Sequence, residues 1–294
     1  MTAIKRKRGP LRRIIQRARR TWRQRRADVH IISFPKCGRT WLVLMIGRVL
    51  QQHHGLKTRN ILRLRDFYRP WRSIPYILQH HDGGPEFLLP EELDPDKSNY
   101  FGKSVIFLVR DPRDVLVSSY FQKTKRNANF TGSMADYLKQ RRGGIETIVG
   151  FYNIWARNRH IPARFLLLTY EDLHCDAPAQ LRRVLDFIGE DRVSQETVLE
   201  AVEYGRFDNM RRLEASNALG SSALAARDAQ DPDSFKTRRG EVGAFTKYMD
   251  ADSLAYVDQI INTRLDPLFQ RYRIPAAGEV DHRTGPQEDQ GTLR

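Results

Sequence analysis

Cysteine is scarce: Cys37 and Cys175 are the two in 294 residues. Two thiols make neither a disulfide framework nor a metal-ligand cluster, so a reducing, cytoplasmic setting without a bound metal is expected. No apolar run comes near the roughly 20 residues that span a bilayer. The basic start is not followed by the uninterrupted apolar stretch of a secretory signal. No segment has the G-x-x-x-x-G-K-[ST] spacing of a Walker loop, and no internal repeat is present.

Acid is missing from one place in particular. Residues 1–30 hold twelve Lys or Arg against a single acid, Asp28, so only +4 of the formal net charge of +15 belongs to the rest of the chain. The basicity is a property of an arm, and a nucleic-acid partner is not expected from it. Leu11, Ile14, Ile15, Ala18 and Trp22 share one helical face, ringed by Arg12, Arg13, Arg17, Arg19, Arg20 and Arg23. A basic amphipathic helix over residues 1–27 suits an anionic membrane surface, and hence a peripheral place on a membrane, or an acidic polymer. A solvated arm and an organelle transit peptide are the alternatives.

What is present is material for one α/β core, with 40% hydrophobic residues. Val29–Ser33, the run from Ile77, Ser104–Val109 and Phe165–Tyr170 read as strands. The stretches 41–50, 133–140, 145–158, 176–188, 195–204 and 252–272, and the run from Pro112, read as helices. Their alternation predicts a single three-layer domain over 28–274 with a central, mainly parallel sheet. Segment 214–234, rich in Ala, Ser and Asp, reads as a flexible connection. The polar tail 275–294 reads as disordered.

The chemistry concentrates in Phe34-Pro35-Lys36-Cys37-Gly38-Arg39-Thr40-Trp41, between a buried strand and a buried helix. A helix start leaves backbone N–H groups unpaired, and these form an anion site. Lys36 adds a cation, Thr40 a hydroxyl, and Pro35 and Gly38 shape the turn. A second basic point, Arg110, stands at the end of the strand Ser104–Val109, where parallel sheets place ligands. Ser118 follows it, one turn beyond Asp114.

The first stretch resembles the 5′-phosphosulfate loop of the cytosolic-type sulfotransferases, with Cys37 at the usual Ser and Arg39 at the first Thr. Arg110 to Phe121 resembles the family's 3′-phosphate motif, an Arg with a Ser eight residues later. Arg238-Arg239-Gly240 resembles its C-terminal Arg-Lys-Gly, and Tyr170-Glu171-Asp172 another landmark. The similarity spans about residues 29–272. It implies a phosphate-loop NTPase-like sulfotransferase fold and 3′-phosphoadenosine 5′-phosphosulfate as donor. The implied reaction is in-line sulfuryl transfer to a hydroxyl, without a metal.

By that resemblance Lys36, Cys37, Gly38, Arg39 and Thr40 hold the 5′ end of the donor. Arg110, Ser118, Arg238, Arg239 and Gly240 hold its 3′-phosphate. Trp41 and Phe207 sandwich the adenine, and Tyr170 bonds its edge. Arg113 and Asp114 are expected in ion pairs instead. Lys36 also serves catalysis, as an ammonium between sulfate and phosphate. The family's base is the His of a Lys-Thr-His stretch, and its counterpart here is Gln79-His80-His81-Asp82. Gln79 replaces the Lys and His80 the Thr, so the expected base is His81, with His80 second.

Lys247 to Asp252 departs from the family's dimer segment, which leaves the oligomeric state open. The acceptor is not legible, because acceptor pockets are built from loops that vary, here 57–75, 88–99 and 214–234; carbohydrate, lipid, phenol and small alcohol stay open. Two other readings stand beside this one. A nucleotide phosphotransferase would use the first loop as a variant phosphate loop, although no acid clearly ends a strand to hold Mg²⁺. A non-catalytic basic adaptor would account for the arm alone.

Overall fold

The computed structural model describes residues 18, 19, 21–228 and 230–274. Four short strands form the sheet: β1 (Val29–Ser33), β2 (Ile77–His80), β3 (Ser104–Val109) and β4 (Arg164–Thr169). All are parallel, in the order β2-β1-β3-β4. The central strands β1 and β3 are buried along nearly their whole length. That is why they read as continuous apolar runs and not as alternating ones.

The helices are α1 (Arg39–His53), α2 (Pro112–Phe121), α3 (Met134–Leu138), α4 (Ile145–Arg157), α5 (Tyr170–Cys175), α6 (Ala177–Ile188), α7 (Gln195–Tyr204), α8 (Phe207–Ala215) and α9 (Ala251–Arg264). From β1 the chain steps to one edge of the sheet and from β3 to the other. Right-handed crossovers in opposite directions put the intervening helices on opposite faces. Accordingly α1 packs with α6 and α7, and α4 with α2 and α9. The strand order reverses between β1 and β3, so the loops that leave these two strands flank a ligand crevice. They are the two loops that carry Lys36 and Arg110.

Two expectations need correction. The last helix does not run from 252 to 272: α9 ends at Arg264, its cap Leu265 is extended, and a separate 3-10 turn spans Pro267–Tyr272. Pro267 has no N–H with which to continue the ladder, and Asp266 caps the new turn instead. Segment 214–234 is not a loose connection. Glu214, Leu219, Leu224 and Ser234 are buried. The Glu214 carboxylate accepts from Arg126 at 2.6 Å and from the backbone N–H groups of Lys236 and Thr237 at 2.6 and 2.9 Å.

Of the arm, residues 21–26 form a helical stretch that docks on the body. Arg26 lies 5.2 and 5.6 Å from the rings of Tyr68 and Tyr76, Lys103 donates to the Arg25 carbonyl, and Ala27 is buried. Trp22 is 56% exposed. The arm residues Leu11, Ile14 and Ile15 and the tail 275–294 lie outside the described residues. No described helix is long and apolar enough to cross a membrane.

Candidate active site

The loop after β1 is shaped by two left-handed residues, Lys36 at φ 77° and Gly38 at φ 87°. Gly38 is required twice over: for that φ, and because a Cβ there would lie 2.5 Å from the Tyr170 ring. No side chain caps α1 and its first turn holds no acid. Its leading N–H groups are thus left for an anion.

Cys37 faces the other way. Its Sγ lies 3.3 Å from the hydroxyl of Tyr152, and burial lifts the thiol to about 12. The same hydroxyl accepts the Arg110 N–H and donates to the Arg110 carbonyl, at 3.1 and 2.8 Å. Tyr152 therefore ties the loop after β1 to the loop after β3. Cys37 keeps only its backbone amide for a ligand.

A narrow cleft opens in front of α1, and Lys36, Ser118, Gln122, Arg126, Lys236 and Arg238 are among its walls. Gln122 and Arg126 reach it because α2 widens at its end into a π turn, Gln122–Arg126, a distortion common at functional sites. Lys36 donates to Gln122 Oε1 at 3.0 Å. Burial, together with the nearby Lys236, Arg126 and Arg110, brings the Lys36 ammonium down to about 7. Burial, Arg39 and Arg126 bring Lys236 to about 8. The Glu214 carboxylate acts against these charges on both lysines. Asp233, 3.8 Å from Arg238, is the acid among the walls, and Lys36, Arg126, Lys236 and Arg238 outnumber it.

The second loop converges on Tyr170. The Arg110 guanidinium lies 4.2 Å from that ring, bonds Asp114 at 3.1 Å and the Glu241 carbonyl at 2.7 Å, and leaves Nε buried without a partner. The Tyr170 hydroxyl donates to the Gly240 carbonyl at 3.0 Å. Gly240 in turn closes on Phe207, which a Cβ there would meet at 3.0 Å. Trp41 packs edge-on against Tyr170, with ring centres 5.9 Å apart. Arg238 lies 3.8 Å over the Phe121 ring and bonds Tyr248, whereas Arg239 is exposed. Arg113 and Asp114 are structural, as expected. Arg113 pairs with Asp258 and Asp111, and Asp114 accepts the N–H groups of Gly243 and Phe245.

The two histidines separate cleanly. His80, at the end of β2, bonds the buried His30 at 3.0 Å. His81 turns toward the first loop, where its Nδ1 lies 2.8 Å from the Ser33 carbonyl and its Nε2 2.8 Å from Arg39 Nη2. A carbonyl only accepts, so Nδ1 carries the proton and Nε2 the lone pair. Burial, then Arg39, holds His81 well below the usual imidazole value, and Lys236 and Lys36 add to this. Gln79 donates to the Leu62 carbonyl at 2.6 Å.

The structure thus groups Lys36, Ser118 and Arg238 in one cleft, Gly38, Arg110 and Gly240 around Tyr170, and Arg39 with His81. It does not bring in the Cys37 or His80 side chains. The sequence reading passed over Tyr152, Gln122, Arg126 and Lys236. For Lys236 a signal exists, its place two residues before Arg238-Arg239-Gly240, and for Arg126 the basic run 123–126. Among the described residues, the metal-compatible group His53, His54 and Glu190 lies at the opposite end of α1, about 20 Å away at 1.5 Å per helical residue.

The sulfotransferase domain family matches residues 26–269. Sulfotransferase 2A6 of Mus musculus is 29% identical over 253 residues, covering 81% of this chain and 84% of its own. Cytosolic sulfotransferase 16 of Arabidopsis thaliana is 24% identical over 267 residues, covering 82% and 76%. Among solved structures, mouse sulfotransferase SULT7A1 complexed with PAP superposes with a TM-score of 0.60 at 20% identity, covering 84% of this chain and 88% of that one. Retinol dehydratase, in complex with androsterone and the inactive cofactor PAP, gives 0.58 at 19%, covering 82% and 81%. With a match that runs from just before β1 to the final 3-10 turn and takes in the loops after β1 and β3, the chain belongs to the sulfotransferase domain family.

Proposed function

We propose that the cleft binds 3′-phosphoadenosine 5′-phosphosulfate through the residues described above and passes its sulfuryl group to the hydroxyl of an acceptor. The observation that carries this assignment is the crowding of Lys36, Arg126, Lys236 and Arg238 before the uncapped start of α1. The residues fit a ligand with charge at both ends. Arg110 Nε, after β3, and Arg39 Nη1, at the start of α1, are buried polar atoms without partners. Arg110, Ser118, Arg238 and Gly240 would take the 3′-phosphate. Lys36, Arg39, Thr40 and the N–H groups of α1 would take the 5′ end. Trp41 and Phe207 would flank the base.

The bound donor supplies an electrophilic sulfuryl group on a phosphate leaving group. Lys36 offsets the charge that grows on that phosphate. Gln122 holds its ammonium in the cleft. His81, kept neutral at pH 7 by burial and neighbouring cations, takes the acceptor's proton at Nε2 while Ser33 anchors Nδ1–H. Lys236 and Arg126 add positive charge to the cleft beside Lys36. The arm would hold the enzyme at an anionic surface.

Calorimetry tests the donor assignment. 3′-Phosphoadenosine 5′-phosphate should bind at least about 100-fold tighter than adenosine 5′-phosphate, since each charge-assisted hydrogen bond is worth roughly 1.5–3 kcal/mol. Ser118→Ala and Arg110→Gln should narrow the gap, and equal affinities in the wild-type protein would remove the 3′ site. A donor-dependent screen of hydroxyl compounds with product mass detection then identifies the acceptor class.

A further inference from the structure

The ring nitrogen of His81 that bears the lone pair is already occupied. Arg39 Nη2 donates to it at 2.8 Å, and Ser33 holds the opposite nitrogen at the same distance. An acceptor hydroxyl therefore cannot reach Nε2 while Arg39 stays where it is. Yet Arg39 is the first residue of α1, placed by the backbone beside the N–H groups that await an anion. Its other terminal nitrogen, Nη1, is buried with no partner. A guanidinium bonds an anionic oxygen about twice as strongly as a neutral acceptor, and does so bidentately.

We infer that Arg39 has two positions: it caps His81 Nε2 in the free protein and transfers to the donor's 5′ phosphate–sulfate group when the nucleotide binds. The donor thus uncovers the base. This makes Arg39 a positioning residue that enforces order, since the acceptor's proton has no place to go until the cleft is loaded. It rests on the reading of His81 as the base, and it extends that reading to a residue the family resemblance assigns only to phosphate binding. Burial also draws the Arg39 guanidinium down to about 10, against the opposing pull of the Glu86 carboxylate. The charged groups that face His81 are Arg39 from α1, Lys36 from the first loop and Lys236 from the segment before Arg238; the Ser33 carbonyl closes the side toward β1.

The test is carbethoxylation of His81 by diethyl pyrocarbonate at pH 7, followed by peptide mass spectrometry. It needs no acceptor and no turnover. The reagent attacks a free imidazole lone pair, so His81 in the wild-type protein alone should react slowly. Saturating 3′-phosphoadenosine 5′-phosphate should speed the reaction several-fold, the reverse of ordinary ligand protection. Arg39→Met should react fast with or without nucleotide, and Arg39→Lys, which keeps the charge but not the fork, should fall between. Thermal unfolding establishes that each variant is folded. Protection by nucleotide in the wild type, or no acceleration in folded Arg39→Met, overturns the proposal. The base assignment fails separately, if His81→Gln keeps its turnover.

Discussion

Lys36 occupies left-handed backbone, φ 77°, where an L side chain costs roughly 1–2 kcal/mol more than glycine. It also carries a buried ammonium drawn down to about 7. Lys36→Ala and Lys36→Gly should both lose turnover far more than nucleotide affinity, because the ammonium matters most as leaving-group charge develops. The glycine variant should be the more stable by about 1 kcal/mol in denaturant unfolding. The pH dependence has a definite sign. Between about 7 and 10.5 the unfolded chain holds more protons than the folded one, so this lysine destabilises the wild type most at and below pH 7. The advantage of Lys36→Gly over wild type should shrink as pH rises toward 10, and an advantage that grows instead would contradict the buried-lysine account. For the histidines, His81→Gln should cost about 10²–10⁴ in turnover. His80→Gln should cost stability, through its bond to His30, with turnover largely kept by the folded fraction. A folded but inactive His80→Gln with an active His81→Gln would reverse the two roles. Residue identity was legible here to the extent that a motif carried it. The direction of a side chain was not: Cys37 turns away because Tyr152, more than a hundred positions along the chain, offers it a partner.

At the scale of elements, the strands and helices that bury continuous apolar surface could be read from the sequence, since burial on both faces leaves no other pattern for β1 and β3. The connection 214–234 could not. Its order depends on one acid, Glu214, which is fully buried and collects Arg126, the Thr237 hydroxyl and the N–H groups of Lys236 and Thr237. Local composition cannot show a partner 88 positions earlier in the chain. The same holds for the π turn that brings Gln122 and Arg126 to the cleft. Removing one member of a buried charge pair typically costs about 3–5 kcal/mol, so Glu214→Ala should be strongly destabilising. Because the carboxylate also fixes the backbone of Lys236 and Thr237, just before Arg238, any folded fraction should bind 3′-phosphoadenosine 5′-phosphate weakly. Hydrogen exchange should speed up across 214–238 before it does in the sheet. If exchange there is unchanged in the variant, Glu214 does not anchor the segment.

For the whole molecule the decisive feature is an uneven charge. Most of the +15 lies in the first thirty residues, while Lys36, Arg126, Lys236 and Arg238 line the cleft. The arm's end is part of the body: Arg26 lies against Tyr68 and Tyr76, and Ala27 is buried. A truncation meant to isolate the surface function should therefore stop at residue 20. That shortened protein should keep nucleotide binding and turnover on a soluble acceptor. The full chain should co-sediment with anionic vesicles and release them as salt rises, because each basic residue near such a surface contributes about 1 kcal/mol and the field decays within a Debye length of about 8 Å. Trp22, more than half exposed and 5.1 Å from the Arg26 guanidinium, is the large apolar residue in the described part of the arm placed to enter a headgroup layer. Trp22→Ala should weaken binding without changing its salt slope, since it removes apolar area and not charge. Equal binding to neutral and anionic vesicles would end the membrane reading. Retention on an immobilised acidic polysaccharide, with no vesicle binding, would make the arm a docking element for a polyanionic acceptor or partner.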